Sequence, residues 1–159
     1  MEHIDELFLE AREELKRLEH IIYVSLKYTR TVDVIINALK RLVSVYDLII
    51  EALLEFGKKS DLVDNLAKSP ALRAKKLAEI YQDDPKFQNY LEFYYFLKTI
   101  LNSSYQRREE FRRHVTFVVE LEKCTAEMDI DNLTNCEKFT HDYLYYAREK
   151  VYGKVVEED

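Results

Sequence analysis

The stretch QRREEFRRH, residues 106–114, carries the side chains best equipped for chemistry. Read as part of a helix over about 104–126, it sets Arg107 and His114, seven apart, on nearly one line, with Glu110 three residues from the arginine and four from the histidine. An arginine, a carboxylate and an imidazole then converge. An imidazole that titrates near neutrality moves protons and a guanidinium holds a phosphate, so the set is suited to cleaving RNA through its 2′-hydroxyl: Arg107 as clamp, His114 as acid/base, Glu110 as orienter. The plainer reading of the same residues is a solvated helix face laced by ion pairs, each contributing little.

Metal chemistry is the next candidate. Glu110 with His114 and Glu137 with His141 are two Glu-x-x-x-His pairs, each with carboxylate and imidazole on one helical face. Di-iron bundles use Glu-x-x-His with further glutamates on facing helices, and that set does not assemble here. Asp129-Ile130-Asp131 begins like a calcium loop but lacks glycine at its sixth position and glutamate at its twelfth; Asp131 reads instead as a helix cap. No metal and no other cofactor is therefore expected. A phosphate-cradling glycine loop, a nucleophile elbow and a Cys/His zinc spacing are all missing from the sequence, which removes most common enzyme classes. Aromatic residues crowd 87–96 and recur at Tyr143, Tyr145 and Tyr146; they read as core packing with hydroxyls at the rim rather than as a surface for stacking bases.

Helices must position all of these groups. From 32 to 56 the chain is apolar at every three-four step, through Val32, Ile35, Leu39, Leu42, Tyr46, Ile49, Leu53 and Phe56, with Ile36, Val43 and Ile50 widening the face. A helix this apolar needs neighbours on several sides, so the other elements should pack around it. Ile4, Phe8, Ala11, Leu15, Leu18 and Ile22 predict a first helix over about 3–29, joined to the second by so short a link that the two form an antiparallel hairpin. Thr31 is placed to cap the second helix and Gly57 to end it. Ser69-Pro70 and Asp84-Pro85 each pair a cap with proline at the first helical position, opening helices over about 70–83 and 85–102. Ser103 to Gln106 and Thr134 with Glu137 read as capping boxes for a helix from about 104 and for a last helix ending at Gly153.

The expected fold is thus all-α, a bundle of five to six helices, as one domain over 1–153 with a charged, frayed tail over 154–159. Glycine and proline occur only twice each in 159 residues, which agrees. A net charge of −6 opposes broad nucleic-acid binding, although 58–76 and 107–113 are locally basic. Cys124 and Cys136 form no motif and read as reduced thiols, placing the protein in the cytoplasm without a membrane span.

Arg107, six residues and His114 within a small helical bundle resemble the arginine-x(4–6)-histidine signature of HEPN domains, many of which are dimeric ribonucleases. The resemblance implies a metal-independent ribonuclease acting on RNA through Arg107 and His114. The residues themselves point first to another class: a non-catalytic helical module that self-associates, as a dimer or with another protein, through the excess apolar surface of 32–56 and 87–96.

Overall fold

The computed structural model describes residues 1–154, so the tail expected over 154–159 lies, from 155 onward, outside the described residues. The first rod begins with α1 (Glu2–His20), widens through a π-helical turn (Ile21–Ser25) and closes with a single α-turn, α2 (Leu26–Tyr28). Next comes α3 (Val32–Lys59), followed by α4 (Pro70–Ile80) and α5 (Pro85–Leu101). Three short strands then intervene, β1 (Gln106–Arg108), β2 (Thr116–Glu120) and β3 (Thr125–Met128), before the last helix, α6 (Ile130–Tyr152).

The caps explain where the helices start. Thr31 Oγ1 accepts from Val34 N at 3.3 Å, Ser69 Oγ from Leu72 N at 3.1 Å and Asp84 Oδ1 from Phe87 N at 3.2 Å, each satisfying an amide that the first helical turn leaves open. α6 opens earlier than Thr134, and Asp131 is not its cap. Asp129 Oδ1 accepts from Asn132 N at 2.7 Å while Asn132 Oδ1 accepts from Asp129 N at 3.1 Å, a reciprocal box that uses asparagine where glutamate was expected. Gly57 does not end α3, which runs on to Lys59. It is buried, and a Cβ there would lie 3.2 Å from Val63 Cγ2, so glycine lets the following link pass close to the helix. Gly153 does end α6, at φ +80°.

α3 is the element the others cover. It packs against α1, α4, α5, α6 and β2, and its Leu39, Tyr46 and Leu53 are each at most 1% exposed. Tyr46 stacks on Tyr143 of α6 with ring centroids 4.9 Å apart and meets Phe93 and Tyr94 of α5 at 5.7 and 6.2 Å. The aromatics of 87–96 are thus largely core, with Tyr95 left exposed. One polar clasp joins α1 to α3: Arg41 Nη1 donates to both oxygens of buried Glu14, at 3.0 and 3.1 Å.

The helix expected over 104–126 does not form, and the fold is therefore not purely α. The strands make an antiparallel sheet in the order β1-β2-β3, with Arg107 opposite Phe117 and Val118 opposite Glu127. The physical reason is the run Val115-Thr116-Phe117-Val118-Val119, whose β-branched and aromatic side chains lose rotamer freedom in a helix and suit a strand covered on both faces. All five are buried. The sheet packs on α3 through β2 and on α6 through β3. No described helix is long and apolar enough to cross a membrane.

Candidate anion-binding site

The turn between β1 and β2 is fastened to the start of α3 by three contacts. Phe111 N donates to Arg30 O at 2.7 Å, Glu110 Oε2 accepts from Val32 N at 3.0 Å, and Arg107 Nη2 donates to Asp33 Oδ1 at 2.7 Å. Arg107 Nη1 also donates to Glu110 Oε1 at 3.0 Å, and its guanidinium lies over the Tyr105 ring, 5.5 Å from the centroid. The hydrogen bond from Arg107 holds the Asp33 carboxyl below its usual range. The structure thus brings Arg107 and Glu110 together as the sequence suggests, but on a strand and turn rather than a helix. Their partners are the capping amide of α3 and Asp33.

His114 lies elsewhere, with its ring bonded to neither residue. It lines a cavity of about 270 Å³ bounded by the π-turn and α2, by the 109–114 turn and by the first residues of α6. Lys27, Arg30 and Arg113 line the same cavity, so three permanent cations and an imidazole meet there, faced by the carboxylates of Asp129 and Asp131. Arg30 Nε is buried and has no hydrogen-bond partner. A buried guanidinium nitrogen without an acceptor is costly, by roughly 1–3 kcal/mol, and an anion seated beside it would supply that acceptor. The amide end of α6 adds positive potential at the same place.

Backbone conformation points to the same turn. Glu109 and Phe111 adopt φ of 57° and 68°, left-handed values that neither side chain favours, and Phe111 is 78% exposed. Such conformations persist only where surrounding contacts enforce them, here the three fastenings to α3.

Sequence reading found Arg107, Glu110, Arg113 and His114 as one basic stretch but missed Lys27 and Arg30. Their signal was a pair of cations three apart at the end of the first rod, which nothing local connects to His114. The Glu110 and His114 pair expected to share a helical face loses that relation in the turn, whereas Glu137 and His141 keep it on α6. Cys124 is exposed and Cys136 buried, both unpaired, and burial pushes the Cys136 thiol up to about 11. No protein family, curated protein or solved structure matches this chain.

Proposed function

We propose that this chain is a non-catalytic interaction module whose working surface is the basic pocket, where Lys27, Arg30, Arg113 and His114 take up a phosphate-bearing group. The observation that carries the reading is Arg30, whose buried Nε has no partner, on the wall of a cavity with two further cations, in a chain whose net charge is −6. An acidic protein that gathers cations around a concave site favours an anionic ligand there against its own average field. The test is titration of inorganic pyrophosphate into the full chain, followed by amide and arginine side-chain resonances. Shifts confined to the pocket, saturable and abolished in Arg30→Ala and Arg113→Ala, are expected; no pocket shift at millimolar pyrophosphate overturns the reading.

A second reading, the HEPN-like metal-independent ribonuclease, is favoured by one observation, the position of His114 beside three cations. In it His114 would move the proton and Arg107 would hold the phosphate. Arg107 is engaged by Asp33 and Glu110, so the first reading is preferred. Equal rates of RNA cleavage by the parent protein and His114→Ala would remove the ribonuclease. The pocket reading needs no second copy of the chain, and the apolar faces that suggested a dimer, 32–56 and 87–96, are largely covered within one copy.

A further inference from the structure

A second cluster of ionisable groups lies where α1 meets α6. Glu19, in the last turn of α1, approaches Glu137 and His141, which stand one turn apart on α6. His141 Nε2 is 2.7 Å from Glu19 Oε1 and 3.4 Å from Glu137 Oε1. One imidazole nitrogen therefore faces two carboxylate oxygens. It can carry a single proton aimed at one of them, whereas a divalent cation in the proton's place would face both. One ligand atom from each of the three residues lies within 4.8 Å of the others. A metal about 2.0–2.2 Å from nitrogen and oxygen ligands sets those ligands roughly 3–4 Å apart, so small side-chain shifts suffice to seat it.

Three further observations bear on the cluster. Glu137 is 6% exposed, and its Oε1 lies 3.4 Å from His141 Nε2, longer than a charge-assisted hydrogen bond. The π-turn starts two residues after Glu19, and π-turns inside α-helices recur at functional sites. Glu19 and His141 also line a cavity of about 380 Å³, which leaves the outer side of the cluster open to water or an anion, with Arg12, Lys16 and Arg148 on its walls.

We propose that Glu19, Glu137 and His141 form a three-ligand site for a divalent transition metal of the zinc class, with a fourth position open to the cavity. Two carboxylates and an imidazole suit zinc, cobalt(II) or manganese(II) and give no soft sulfur ligand for copper(I). The metal would bridge α1 to α6 directly.

Cobalt(II) is the probe, because four-coordinate sites give it an intense visible absorption. Titrated into the full chain, it should saturate at one equivalent with such a band, and zinc should displace it. Glu137→Gln and Glu19→Gln should each weaken binding by about 10-fold or more, and His141→Ala should abolish it. Zinc should raise the melting temperature of the parent but not of His141→Ala. Glu19→Gln changes a residue at the protein surface and guards against a folding defect at buried Glu137, with circular dichroism checking each variant. Failure of cobalt to bind at millimolar metal, or equal binding by the parent, Glu19→Gln and His141→Ala, would overturn the site. Neither result touches the basic pocket.

Discussion

Glu110 shows how one side chain acquires a role its sequence position does not announce. Its Oε2 accepts from the first helical amide of α3 while its Oε1 accepts from Arg107, so it joins a strand, a turn and a helix start. Glu110→Ala should therefore lower stability by about 1–2 kcal/mol, the effect of losing a cap, although no apolar area is removed. Glu110→Gln, which keeps an acceptor, should recover most of that loss; urea unfolding midpoints measure both. Arg107 lies on the same network, and it is adjacency to Val32 and Asp33, more than seventy positions upstream, that gives both residues their partners. His114 shares only the turn with them. The apparent triad of the linear sequence divides in space into a structural clamp and a pocket wall.

At the scale of elements, the turn between β1 and β2 holds conformations that its residues resist. Phe111 pays a steric penalty at φ 68° while its ring stays in solvent, so little packing is lost on removing it. Phe111→Gly should raise stability by about 1 kcal/mol despite deleting an aromatic ring, provided the amide bond to Arg30 is kept. A loss of stability in thermal or urea unfolding would show that the ring packs somewhere the geometry does not allow. The strands around this turn are where the local reading failed. Arg and Glu at 107–113 are good helix formers and suggested continuity, and Ser103 and Gln106 resembled a capping box. The decisive signal was the β-branched run at 115–119, which outweighs them once it is buried along its length, with β2 packed against α3.

For the whole molecule, the core around α3 joins apolar packing to a half-buried acid, Asp47. Asp47 Oδ1 accepts from Tyr94 OH at 2.5 Å, linking α3 to α5, and burial raises the Asp47 carboxyl above its ordinary value of 3.8. Below 3.8 the folded and unfolded chains both hold this proton; between 3.8 and the raised value only the folded chain does. Stability associated with Asp47 is then complete in acid and declines as pH rises through that window. Relative to Asp47→Asn, which cannot titrate, the parent should lose stability as pH climbs from 4 upward; melting temperatures of the two proteins across pH measure the difference. A constant offset would mean that Asp47 has the same pKa folded and unfolded, so that burial does not raise it. The same core shelters α3 within one copy, through α1, α4, α5, α6 and β2.

The sequence alone determined the helices that obey local rules: the apolar period of α1 and α3, the caps at Thr31, Ser69 and Asp84, the prolines at first positions and the stop at Gly153. These follow from interactions within four residues along the chain, which a linear reading contains. The π-turn, the sheet, the meeting of Lys27 and Arg30 with Arg113 and His114, and that of Glu19 with Glu137 and His141 came only with the tertiary structure. Each depends on which distant segments bury one another, and a strand or a pocket exists only when its far partner is in place.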